Sequence, residues 1–139
     1  MTFRVNAAGF DDFDRNLTAI HDRGIDEVAE ALYDEFEEIL AYSRDELCPE
    51  RSGRLRRTAH LSGPHIRGDR IWFVMSYGTD ANGTEPAPYA IYVHENVEAY
   101  HDPPTQAKFL ELALQENIPG IARRVGVRVN YKLRGPRDR

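Results

Sequence analysis

The sequence predicts an α+β domain, with a long N-terminal amphipathic helix and a second helix packed on a small antiparallel sheet. Three observations predict it. Apolar residues recur every three or four positions from Ile25 to Leu47, the helical period. Two strand-like runs flank Gly68-Asp69, a turn pair. A second helical stripe follows Pro103-Pro104. At 139 residues the chain is one domain with one modest core.

Near the N-terminus, Phe3 and Val5 alternate with polar residues and predict a short edge strand. Phe10, Phe13, Leu17 and Ile20 fall at helical spacing and predict a short helix over about 10–20. Asp11 and Asp12 at its start suit the helix dipole. The long helix follows from about Asp26 to Leu47. Its apolar stripe is Ile25, Val28, Leu32, Phe36, Ile39, Leu40 and Leu47; its other face carries Glu27, Glu30, Asp34, Glu35, Glu37 and Glu38. At about 1.5 Å per residue it is roughly 30 Å long. Pro49 ends it, Ser52-Gly53 turns the chain, and Arg54-Leu55-Arg56-Arg57 restarts it with one apolar residue among three cations.

Ile66 and Ile71-Trp72-Phe73-Val74-Met75 then read as two strands. Ile71, Phe73 and Met75 share one face and Trp72, Val74 and Ser76 the other, so the second strand is central or meets a partner subunit. Gly78 to Pro88 is a loop of about eleven residues, long enough to suggest interaction. Tyr89 to His94 alternates as a strand. Phe109, Leu110, Ala113 and Leu114 form the stripe of the second helix, which Pro119-Gly120 breaks; Ile121 to Val125 adds a further turn or two. From Gly126, Val127, Val129 and Tyr131 alternate with Arg128, Asn130 and Lys132. This strand-like rhythm predicts an extended basic tail over 126–139, following a domain of residues 1–125.

Composition narrows the function. Hydrophobic residues at 41% and charged residues at 29% fit a subunit that completes its burial against neighbours, and equally a soluble domain with mobile ends. Residues 1–50 hold 4 basic and 14 acidic side chains, whereas 51–139 hold 14 basic and 9 acidic. An acidic half and a basic half suggest head-to-tail contact between copies, or distinct partners at two faces; a solvated acidic face and a basic tail also fit. Cys48 is the only cysteine, so no disulfide forms within the chain, as expected in a reducing compartment. No apolar run reaches the roughly 18–20 residues that span a bilayer, and Met1-Thr2-Phe3-Arg4 lacks a signal-peptide core, so no membrane partner is expected.

Catalytic patterns fare poorly. His94-Glu95 opens like a zinc-protease helix, but His101 lies seven residues on, and H-E-x-x-H needs four. His60 and His65 flank Gly63-Pro64 and read as solvated. Cys48 sits at a helix C-terminus, where the dipole disfavours a thiolate, and Ser52 lacks a nucleophile elbow. No phosphate loop occurs, and neither an enzyme nor a cofactor or metal is expected. Two arginine clusters could neutralise phosphates: Arg51, Arg54, Arg56 and Arg57, then Arg123, Arg124, Arg128, Lys132, Arg134, Arg137 and Arg139. The net charge of -5, with a single aromatic residue, Tyr131, among the cations, favours acidic faces of neighbouring subunits as their partners instead.

Three segments, taken in order, carry a resemblance. They are Pro49 to Thr58 (P-x-x-S-G-R-L-R-R-T), Tyr89-Ala90-Ile91-Tyr92-Val93-His94-Glu95, and Pro103 to Leu114 with its P-x-x-x-K-F-L start. Together, over about residues 25–118, they resemble the tail-completion or neck proteins of long-tailed bacteriophages, the minor capsid and head–tail connector family. Matching positions are Pro49, Ser52, Gly53, Leu55 and Thr58; Tyr89, Ala90, Tyr92, Val93, His94 and Glu95; and Pro104, Lys108, Phe109, Leu110 and Leu114. Pro119-Gly120 departs from the family by interrupting a helix that usually runs on, and a basic tail follows.

The resemblance implies a non-enzymatic virion subunit that rings the DNA channel and joins the filled capsid to the tail. It would sit at the head–tail junction, after assembly in the host cytoplasm. Its expected partners are copies of itself, connector proteins on the adaptor or stopper side and the tail-tube side, and DNA by non-specific contact. The expected subunit interface comprises Arg51, Ser52, Gly53, Arg54, Leu55, Arg56, Arg57, Asn82, Tyr89, Tyr92, His94 and Glu95. Arg123, Arg124, Arg128, Lys132 and Arg134 are the expected contacts to a partner or to channel DNA. Alternatives are a tail terminator capping the tail tube and, in another class, a nucleic-acid-binding protein acting through its basic tail.

Overall fold

The long helix organises everything around it. In the computed structural model, which describes residues 2–6, 24–68, 70–79 and 82–134, helix α1 spans Ile25–Tyr42 and continues as one π-helical turn, Ser43–Leu47. It buries Val28, Leu32, Phe36, Ile39 and Leu40, the predicted stripe. Cys48 is extended (ψ 125°), the conformation a following proline imposes, so the helix stops before Pro49.

Strands β1 (Thr2–Asn6), β2 (His60–Arg67) and β3 (Arg70–Ser76) form an antiparallel sheet in the order β1-β3-β2. The predicted edge strand and hairpin are therefore present, with β3 central. β1 pairs Phe3 with Met75 and Val5 with Phe73. β2 pairs Leu61 with Met75 and Ile66 with Ile71, with one extra residue between Ser62 and His65, where the Gly63-Pro64 peptide is cis. Ile71, Phe73 and Met75 are buried on the face toward α1, and the Phe73 ring lies 4.9 Å from that of Phe36. Trp72, Val74 and Ser76 are half-buried on the other face. The helix expected over about 10–20 lies outside the described residues.

The Arg54–Arg57 restart is a one-turn helix, α2. Gly53 enters it at φ 75°, a left-handed conformation that a side chain would strain. Leu55 is buried beneath it. Thr58 then locks the junction to the end of β3: its hydroxyl donates to the Leu55 carbonyl (2.6 Å) and accepts the Gly78 N–H (2.8 Å).

Two expectations are corrected. Tyr89 to His94 is not a strand: Ala90–Glu95 form helix α3. Ala90 and His94, four apart, are the buried pair, and over six residues that spacing is indistinguishable from alternation. Gly78 lets α3 approach the sheet, since a Cβ there would come within 3.0 Å of the Ala90 Cβ. The second correction is the C-terminus. Helix α4 (Phe109–Asn117) ends as predicted before Pro119-Gly120, but Ile121–Arg134 form a continuous helix, α5, so residues 126–134 are no extended tail. Ile121, Val125 and Val129, spaced by four, are buried, and α5 packs against α1. The domain boundary expected after residue 125 thus falls inside a helix. Residues 135–139 lie outside the described residues.

Candidate interaction surface

The junction turn, α3 and the loop after it make one surface. Pro49, Arg51, Ser52, Gly53 and Leu55 form one wall of a cleft of about 670 Å³; Tyr89, Val93, Tyr100 and His101 form the other. Tyr89 (40% exposed) and Tyr100 (82%) line it and face solvent; Tyr92 (68%) and Val97 (69%) are exposed on α3 and on the loop after it, while Ile91 (59%) lines a separate small pocket with Gly78, Glu85 and Pro88. A second groove of about 660 Å³, lined by Leu47, Val97, Pro104 and Leu112, shares Tyr100 and His101 with the first. His101 Nε2 is buried without a hydrogen-bond partner, held in the loop between the two.

A polar network fixes α3 to α4. His94 is fully buried, its ring edge-on to Phe109 at 4.9 Å. Its Nδ1 contacts Glu95 Oε1 at 2.7 Å, and its Nε2 lies 3.5 Å from the Glu111 N–H. The backbone donor at Nε2 assigns the ring proton to Nδ1. Glu95 also pairs with Lys108, which reaches Glu111 at 3.3 Å. Lys108 first and His94 second hold the Glu95 carboxyl below its ordinary range. Lys108 adopts φ 59° and donates its backbone N–H to the His94 carbonyl at 2.7 Å, which starts α4.

The expected interface residues divide accordingly. Arg51, Ser52, Arg54, Arg57, Tyr89, Tyr92 and Glu95 are exposed around this surface, and Gly53 is half-buried at the turn. Asn82 is exposed on the loop before α3 and does not line the cleft. Leu55 and His94 are both buried in the core they complete, Leu55 where it also lines the cleft. Arg56 is partly used within the chain, donating to the Cys48 carbonyl at 3.0 Å and pairing with Glu50 at 3.1 Å. Val97, Tyr100 and His101 are additions. Val97 and Tyr100 were the signal, two large apolar residues in an otherwise polar segment.

The second arginine cluster is partly engaged within the chain. Glu35 is buried on α1, and Arg124 Nε (2.8 Å) and Arg128 Nε (2.9 Å) both donate to its carboxylate. Arg128 also reaches Glu38 at 2.9 Å, and Arg124 donates to the Pro119 carbonyl at 3.2 Å and to that of Asn117. Within the chain these two cations pair with the acidic face of α1. Arg123 is exposed, and Lys132 and Arg134 fall on the last turns of α5.

The reactive groups are quiet. Burial pushes the Cys48 thiol up to about 12, so it stays protonated at neutral pH. Burial also raises the Tyr77 phenol, whose oxygen is 2.9 Å from Ser43 Oγ. Among the described residues, no group of three or more His, Cys, Asp or Glu is placed to hold a metal, and no helix is long and apolar enough to cross a membrane. No protein-family model, curated protein or solved structure matches the chain.

Proposed function

We propose that this chain is a structural subunit of a tailed bacteriophage, a ring-forming head-to-tail connector that joins the DNA-filled capsid to the tail. The observation that carries the reading is the exposed aromatic surface of α3 and its loop beside the cationic turn. Two of the three segments that resemble neck proteins, Pro49–Thr58 and Tyr89–Glu95, supply the turn and α3, and Val97 and Tyr100 come from the loop that follows. An isolated domain gains nothing by exposing Tyr89, Tyr92, Val97 and Tyr100 on α3 and the loop after it; burial against partners would recover that apolar area. The work is mechanical: a ring of copies gives the DNA channel a continuous wall between capsid and tail, and meets other connector and tail proteins on its two sides.

Electron micrographs of particles made without this protein test the reading. Full heads beside separate finished tails are expected. Overlong tails would instead mark a tail terminator, and normal tailed virions would refute both.

A further inference from the structure

We infer that the Arg51–Arg57 turn of one copy docks on the outward acidic stripe of α1 in the next copy, Asp26, Glu30 and Glu37. The inference rests on the connector reading and names the surface that each copy presents to its neighbour. It follows from sorting the charges. The acidic face of α1 is not uniform. Asp34, Glu35 and Glu38 face α5 and are met there by Arg128, with Arg124 joining at Glu35. Asp26 and Glu37, about three helical turns apart and so on one face with Glu30 between them, point elsewhere. Both are exposed, and among the described residues neither makes an ion pair.

The basic turn is sorted in the same way. Arg56 has Glu50 at 3.1 Å, but Arg51, Arg54 and Arg57 are exposed and make no ion pair among the described residues. Arg57 only donates to the Ser52 carbonyl at 3.4 Å. Each chain therefore carries an unneutralised basic site and, on a different element, two unneutralised carboxylates, Asp26 and Glu37, among the described residues. Two different patches that attract each other make a head-to-tail contact, which closes into a ring when its rotation allows. The exposed Tyr89 and Tyr100 beside the turn supply apolar burial, and the charges supply orientation and exclude the reversed register.

Charge reversal tests the contact in the full chain. Three variants are compared with wild type by sedimentation and by tailed-particle yield on complementation: Arg51→Glu with Arg54→Glu and Arg57→Glu; Asp26→Lys with Glu30→Lys and Glu37→Lys; and all six together. Each triple variant is expected to lose about tenfold or more in association, and the six-fold variant to regain it. A six-fold variant as defective as the triples, or a basic-turn triple equal to wild type, would overturn the contact. A second measurement guards against misfolded variants and weak association in solution. With Cys48→Ser, the pair Arg54→Cys and Glu37→Cys should oxidise within assembled particles to a ladder of covalent oligomers. No ladder overturns the inference. Separate heads and tails in the deletion without a ladder would leave the joining role standing and remove only this contact.

Discussion

Cys48 shows how a position decides a residue's chemistry. The sequence places it beside Pro49 at a helix end, where a thiolate is disfavoured, and the structure adds full burial. The native protein is therefore expected to leave a thiol reagent unreacted at neutral pH, with one equivalent consumed once the chain unfolds; rapid native labelling would contradict this placement. Glu95 carries the pH dependence. Its folded carboxyl titrates below the ordinary value of 4.5, because Lys108 and then His94 favour the charged form. A depressed acid stabilises the fold above its unfolded value and loses that contribution as pH falls through the folded one. The melting temperature of wild type should thus exceed that of Glu95→Gln at about pH 6, with the gap closing well below pH 4.5. A gap that widens toward acid would contradict the ion pair.

At the scale of elements, α1 and β3 were legible because each keeps one period long enough to exclude the other, whereas β2, which does not alternate, was marked only by Ile66 and the Gly68-Asp69 turn. Helices α3 and α5 were not legible. Tyr89 to Glu95 is too short for alternation and helical spacing to diverge, and only its packing, with Ala90 and His94 inward, decides. In α5, Gly126 and three valines argue locally against a helix. Burial of Ile121, Val125 and Val129 and the pairing of Arg124 and Arg128 with Glu35 override that preference. The spacing of four in both sets was present in the sequence, but it needed α1 as a partner to be read. The Glu35 network gives this element its own test. Arg124→Met with Arg128→Met strands a buried carboxylate and should cost about 3 kcal/mol in denaturant unfolding, the low end for a broken buried pair because both guanidiniums reach solvent. A loss near zero would show that the pairs do not hold α5 on α1.

For the whole molecule, the sequence's charge asymmetry resolves into two uses. Part of it is internal, since the basic C-terminal helix neutralises the inner acidic face of α1. Another part, among the described residues, is external: the Arg51–Arg57 turn, and Asp26 and Glu37 on α1. The turn and α3 were legible as marked segments of the candidate site, whereas the cleft they share was not. It exists only because Thr58 and Gly78 bring the junction against the end of β3 and so beside α3. The central claim is that the aromatic surface beside that cleft serves assembly and not folding. Its most direct test is complementation by Tyr92→Ser with Tyr100→Ser, with the melting temperature of the purified variant measured in parallel. Both side chains are mostly exposed, so melting should stay within a few degrees of wild type, while the yield of tailed particles falls by about a hundredfold, the loss of a pair of aromatic interface anchors. Wild-type particle yield from a folded double variant would contradict the account.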